Sequence, residues 1–123
     1  AVGLDMTRRD LQNEMKKSGR PWEIGKAFDY SAPIGEVYPV ASVVEIQQAN
    51  ISLAVNGEPK QQGNINQLIW NVAETIANLS EFFELKAGDL IFTGTPAGVG
   101  AVVKGDTILA QIDGLGKIEL LVV

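Results

Sequence analysis

Ile51, Leu53 and Val55 alternate with Ser52, Ala54 and Asn56, and the run ends on Asn56-Gly57. Alternation with a period of two marks a half-buried strand, and Asn-Gly is the strongest short signal for a tight hairpin turn. Glu58 to Gln62 is then the returning strand, polar and exposed. This commits the middle of the chain to antiparallel sheet. A second pair follows near the end, where Gly105-Asp106 turns into Thr107 to Ile112 and Asp113-Gly114 turns again into Lys117 to Val122. Leu85 to Asp89 reads as a turn into a further strand, Leu90 to Thr93. Ala32 to Gly35 and Val37 to Val40 read as Pro-punctuated extended segments near a sheet edge. Ser42 to Gln48 stays open between strand and connection.

Two stretches have helical character. Ile65, Leu68, Ile69, Val72, Ile76, Leu79 and Phe83 follow the three-to-four-residue spacing, with Glu74, Asn78 and Glu81 off the stripe. The spacing predicts a helix from Asn66 or Gln67 to Phe83, capped by Asn64 or Asn66, lying across the sheet with Trp70 in the core. The other helix spans Arg8 to Lys17. Thr7 is its expected N-cap, paired weakly with Asp10, and Ser18-Gly19 with Pro21 stops it. The class is therefore α+β, mostly β, in one domain.

Composition excludes several functions. Ten basic against fifteen acidic residues give a net charge of −5, which argues against nucleic acid. No apolar run approaches the roughly 18 residues of a membrane span, and no signal-peptide pattern is present. The absence of cysteine rules out disulfides and thiolate zinc sites and fits a cytoplasmic protein. The absence of histidine leaves carboxylates, lysine, tyrosine, hydroxyls or water for any proton chemistry. A metal held by such groups would be hard: Mg²⁺, Ca²⁺ or Mn²⁺. Because Ala1 opens in the middle of what reads as a strand, a truncated or cleaved chain is expected.

Polar residues with chemical potential gather in three places. Ala1, Val2 and Leu4 form an apolar run that ends on Asp5, one turn's length before Arg9, and Arg9 and Gln12 share a helix face. A carboxylate, a guanidinium and an amide converging there would suit a metal-bound acidic ligand; the other reading of Asp5 is a second helix cap. Lys26 lies among small residues with Trp22 and Phe28 near enough to exclude water. An ammonium is disfavoured in such a setting, which would make this lysine a usable proton carrier. Alternatively its stem simply covers Trp22. Gly94-Thr95-Pro96-Ala97-Gly98-Val99-Gly100 is neither a P-loop nor a dinucleotide fingerprint. It is either a loop that brings backbone N–H groups and the Thr93 and Thr95 hydroxyls to a ligand, or a structural turn.

Four segments in register resemble the fumarylacetoacetate hydrolase superfamily, and its small acylpyruvate hydrolase-like members in particular. They are Leu4 to Gln12, Gly19-Arg20-Pro21-Trp22 with Lys26-Ala27-Phe28, Val55 to Glu58, and Ala87-Gly88-Asp89 leading to Thr93 to Gly100. The resemblance covers nearly all of residues 1–123 and implies a catalytic domain folded as a rolled mixed β-sandwich with two helices. It implies that Asp5 is a ligand of Mg²⁺ or Mn²⁺, and that Arg9 and Gln12 contact the carboxylate and keto oxygens of a 2-keto acid. Lys26 matches a lysine at the reacting centre, and Thr95 a hydroxyl that binds the substrate carboxylate. The implied reaction is hydrolysis of a C–C bond in 3-acylpyruvate or fumarylpyruvate-type 2,4-diketo acids through a metal-stabilised pyruvate enolate. Members of the family are typically homodimers.

The chain departs from the family pattern in two respects. The Glu-x-Glu metal ligands and the His-Glu pair that activates water lie upstream of the aspartate in the family. Only Ala1-Val2-Gly3-Leu4 precedes Asp5 here, and there is no histidine. The chain therefore reads as the C-terminal part of such an enzyme, lacking the N-terminal portion, inactive and metal-poor alone. Oxaloacetate decarboxylation or keto–enol isomerisation of a 2-keto acid would use the same electron sink. An inactive β-rich interaction module is the remaining alternative, disfavoured by the joint retention of Asp5, Arg9, Gln12, Lys26 and Thr95.

Overall fold

The hairpin forms where the Asn-Gly turn demands it. In the computed structural model, which describes residues 1–123, β1 (Asn50–Val55) and β2 (Glu58–Asn64) pair antiparallel. Asn56 and Gly57 both take positive φ, 51° and 81°, the backbone a tight primed turn requires. β3 (Thr107–Ile112) lies on the other edge of β1, and β4 (Lys117–Leu121) pairs with β3. The order β2-β1-β3-β4 makes one four-stranded antiparallel sheet with β2 and β4 at its edges. The α+β reading holds.

One irregularity matters later. Leu53 pairs with Gln61 but Ala54 pairs with Pro59, so Lys60 is left without a partner and the ladder bulges. A bulge bends its strand and re-aims the side chains beside it.

At each end of the sheet, side chains tie a turn to the neighbouring strand. Asp106 accepts hydrogen bonds from the Val103 N–H and from Asn56 Nδ2, both at 2.8 Å, while Asn56 Oδ1 accepts from the Thr107 N–H at 2.9 Å. At the opposite end Asp113 accepts from the side chain of Asn50 at 2.9 Å. The bond from the Val103 N–H, with help from Asn56, holds the Asp106 carboxyl below the ordinary carboxylate range.

The core is small and lies on one face of β3 and β4. Val2, Leu4, Ile108, Ala110 and Ile118 are buried together, with Met6, Leu53, Val102 and Leu120 packed around them. Val2 and Leu4 reach it because the opening segment runs beside residues 33–35. The Leu4 N–H donates to Pro33 O at 2.9 Å, and the Gly35 N–H donates to Val2 O at 2.8 Å.

Helix limits differ from the periodicity. Three α-helices are present where the sequence suggests two: α1 (Arg9–Lys17), the single turn α2 (Glu23–Lys26) and α3 (Val72–Ser80). The apolar stripe from Ile65 to Phe83 does not make one helix. Asn64 caps a short 3-10 turn at Ile65–Gln67, and Leu68 then leaves helical geometry. Asn71 restarts the helix with a capping box, its side chain accepting from the Glu74 N–H at 2.9 Å and Glu74 answering at the Asn71 N–H. Two local caps in series outrank the longer stripe. No residue of α3 is buried, and Trp70, expected in the core, is half exposed.

Two strand expectations also change. Leu90–Thr93 is not a strand, since none of its backbone groups bonds another backbone group of the chain. Apolar, extended-prone residues still need a partner one strand spacing away to make a ladder. Val40–Ser42 and Ile46–Gln48 are 3-10 turns, so residues 42–48 form a connection. No helix is long and apolar enough to cross a membrane.

Two predictions follow from the sheet and its core. Ile108→Ala should cost about 2–5 kcal/mol of unfolding free energy, read from the urea midpoint, because the site is enclosed on all sides. Asp106→Ala should lower the thermal midpoint near neutral pH. Because the folded-state value lies below the ordinary 3.8, this stabilisation is complete above 3.8 and is lost as pH falls through the lower folded value. The gap between variant and wild type should therefore persist at moderately acidic pH and close well below 3.8.

Candidate active site

The site is built at the N-terminal end of α1. Once Leu4 is anchored in the core, Asp5 emerges at the surface and Met6 to Arg8 lead into the helix. α2 packs against α1 closely enough that a side chain at the contact would be crowded. Gly25 is buried, and a Cβ there would meet the Gln12 backbone nitrogen at 3.1 Å. The Arg8 N–H donates to Gly25 O at 3.0 Å, locking the two segments together. This docking brings Lys26, distant in sequence, back over the start of α1.

Lys26 Nζ lies 2.8 Å from Asp5 Oδ2 and donates to Thr7 Oγ1 at 2.9 Å. The Thr7 hydroxyl in turn donates to the Asp5 carbonyl at 3.3 Å. Thr7 therefore does not cap α1, whose N-cap position is Arg8 with no side-chain bond. The hydroxyl turns to the lysine instead, because an ammonium is a stronger donor than a helix N–H. The apolar enclosure expected around Lys26 is replaced by two oxygen partners. Lys16 Nζ lies over the Trp22 ring, 5.8 Å from its centroid. Trp22 and Lys26, with Arg20, Pro21 and Glu23, line an open depression of about 430 Å³.

Arg9 and Gln12 share a face of α1 as their spacing predicts, and they are bonded, Arg9 Nη1 donating to Gln12 Oε1 at 2.5 Å. That bond uses the amide oxygen, leaving the Gln12 NH₂ and the remaining Arg9 N–H groups as donors. Gln12 is the one buried polar side chain of the chain, so its position is fixed by packing. The helix start thus presents an ammonium, a guanidinium and an amide, a donor-rich end suited to an anion.

Thr95 is placed separately. It sits on the glycine-rich loop against the β2 edge, where Gln61 Nε2 donates to Thr95 Oγ1 at 2.7 Å and to Pro96 O at 2.6 Å. No hydrogen bond or ion pair joins Thr95 to the Asp5, Thr7 and Lys26 group. Thr7 and Gln61 are the polar partners that sequence reasoning misses. Thr7 reads as a cap and Gln61 as an exposed strand residue.

A hard divalent cation needs several oxygen ligands. No group of three or more carboxylates that could hold one exists in the chain, and Asp5 already faces an ammonium. The residues of this chain by themselves do not make a metal site.

Comparison with known proteins identifies the family of the chain. The family model described as fumarylacetoacetate (FAA) hydrolase C-terminal matches residues 1–123. A fumarylpyruvate hydrolase from Ralstonia sp. is 51% identical over 122 residues, covering 99% of this chain and 63% of that protein. An oxaloacetate tautomerase of Escherichia coli is 47% identical over 114 residues, covering 92% of this chain and 52% of the relative. The crystal structure of fumarylpyruvate hydrolase from Pseudomonas aeruginosa, in complex with Mn²⁺ and pyruvate, superposes with a TM-score of 0.97 at 63% identity. It is covered over 53% of its length, by 100% of this chain. The chain thus spans between about half and two thirds of the length of these relatives. A match along its whole length, in sequence and in fold, makes this chain a member of the fumarylacetoacetate hydrolase family.

Proposed function

We propose that this chain forms the substrate-holding part of a hydrolase that cleaves the C–C bond of 3-acylpyruvates, fumarylpyruvate-type 2,4-diketo acids included. The observation that carries the reading is Lys26 Nζ, held by Asp5 and Thr7 at the same helix start that presents Arg9 and Gln12. A 2-keto acid brings a carboxylate beside a keto oxygen. Arg9 and the Gln12 amide would donate to these oxygens, and the Thr95 hydroxyl to the carboxylate.

In the hydrolysis, water adds to the C4 carbonyl and the C3–C4 bond breaks. Its electron pair moves toward C3 and the C2 oxygen, and a proton returned to C3 completes pyruvate. Negative charge therefore builds on the C2 oxygen. An ammonium fixed in advance by two oxygen partners stabilises that charge without having to reorganise. Such positioning is the role assigned to Lys26.

The relative crystallised with Mn²⁺ and pyruvate supports a divalent metal, Mg²⁺ or Mn²⁺, in the whole protein. Asp5 is proposed as one ligand. Its remaining ligands are not supplied by this chain, and no step is drawn through the metal.

A second reading has its own support in the oxaloacetate tautomerase relative. Keto–enol exchange moves a proton between C3 and the C2 oxygen and would use the same donors. Decarboxylation of oxaloacetate would leave the same enolate. The readings part on whether water is activated. The full-length protein should release pyruvate from acetylpyruvate faster than it converts oxaloacetate; the reverse order favours tautomerase or decarboxylase. Loss of both activities together with Mn²⁺ binding would leave the interaction-module reading.

Within the hydrolase reading, Lys26→Met should reduce kcat by about a hundredfold or more with a smaller change in KM, measured by pyruvate release. Asp5→Asn should abolish Mn²⁺ binding by titration of the full-length protein and leave its fold intact, since Asp5 is exposed.

A further inference from the structure

Gln61 sets the polarity of a hydroxyl that no residue at the helix start touches. Its side-chain nitrogen lies 2.6 Å from Pro96 O and 2.7 Å from Thr95 Oγ1. A peptide carbonyl has no proton, so the amide end facing Pro96 O must be the NH₂. That nitrogen has two N–H bonds, and the second points at Thr95. The Thr95 hydroxyl is therefore an acceptor from Gln61, and its own proton is left for another partner. Accepting from Gln61 occupies one of its two lone pairs and biases the hydroxyl toward donating to a further partner.

The backbone fixes the same geometry independently. Gly98 has φ of 102°, and a Cβ there would collide with the Lys60 carbonyl oxygen. Gly63 also packs close to Pro96, its would-be Cβ lying 3.2 Å from the proline ring. The loop is thus seated on residues 60–63 of the edge strand. Lys60 is the unpaired residue of the bulge, so the irregular step in β2 brings its carbonyl to Gly98 and turns Gln61 toward Thr95.

We propose that Gln61 is a positioning residue that sets Thr95 as a hydrogen-bond donor and so tunes the site to a carboxylate end group. The inference rests on the reading of Thr95 as a contact to the substrate carboxylate. A hydroxyl locked this way has its proton for an anion and only a weakened acceptor for a donor. The site should then prefer a 2-keto acid over the corresponding 2-keto amide.

The test is a double-mutant cycle in the full-length protein. Pyruvate and its amide serve as probes, with dissociation constants and acylpyruvate KM and kcat measured beside the thermal midpoint. Thr95→Val should weaken pyruvate binding about tenfold, the loss of one bond to a charged group. Gln61→Met, which keeps the volume and removes the donor, should weaken it comparably, raise KM more than it lowers kcat, and narrow the preference for pyruvate over the amide. The double variant should be no worse than Thr95→Val alone, because Gln61 acts through that hydroxyl. Gln61→Glu gives a second reading should the methionine variant fold poorly: an acceptor facing Thr95 claims its proton and should weaken pyruvate binding at least as strongly. Fully multiplicative losses in the cycle, or pyruvate affinity unchanged in the Gln61 variants while Thr95→Val weakens it, would overturn the proposal. Unchanged affinity in Thr95→Val would instead remove the Thr95 contact on which it rests.

Discussion

β1 is hydrogen-bonded along both edges, and the positions of the site elements depend on that double pairing. On one side it holds β2, whose bulged edge carries the glycine-rich loop and Thr95. On the other it holds β3, whose inward residues Ile108 and Ala110, with Ile118 of β4, bury Val2 and Leu4. The buried Leu4 fixes where the chain surfaces at Asp5. A register slip of one residue in β1 would turn its side chains to the opposite face and dislodge both supports.

The ion pair between Lys26 and Asp5 plays another part. Its side chains are 36% and 54% exposed, a setting in which such pairs contribute little to stability. The work of holding Lys26 is done by the α1–α2 contact, where Gly25 presses on the Gln12 backbone. Asp5 and Thr7 then choose the direction of the ammonium.

The apolar surface tells a consistent story about reach. Ile69, Val44, Phe82 and Phe83 are exposed, and α3 buries nothing. The stripe that marked this helix for packing is a true record of apolar residues, but no surface of residues 1–123 buries it. The same holds for Leu90–Thr93, which has strand-forming residues and no strand beside it.

Local chemistry was legible in the sequence and distant chemistry was not. Asn56-Gly57 and Asp113-Gly114 mark their turns because positive φ is a property of the residues at the turn itself. Asp5, Arg9, Gln12, Lys26 and Thr95 could be named as candidates from motifs in register, and the α+β class from the strand pattern. The extent of α3 was misread because Asn71 and Glu74 close a capping box that overrides the stripe. Thr7 looked like a cap until a lysine 19 residues away claimed its hydroxyl. Gln61 was invisible as a functional residue because its aim comes from a bulge, and a bulge is a mismatch between two strands. Sequence alone determined the hairpin turns and the family, while the alternation in β1 did not fix its faces, Ile51 to Val55 being all half-buried. Tertiary structure decided which hydroxyl meets which donor, because that depends on the register of one segment against another.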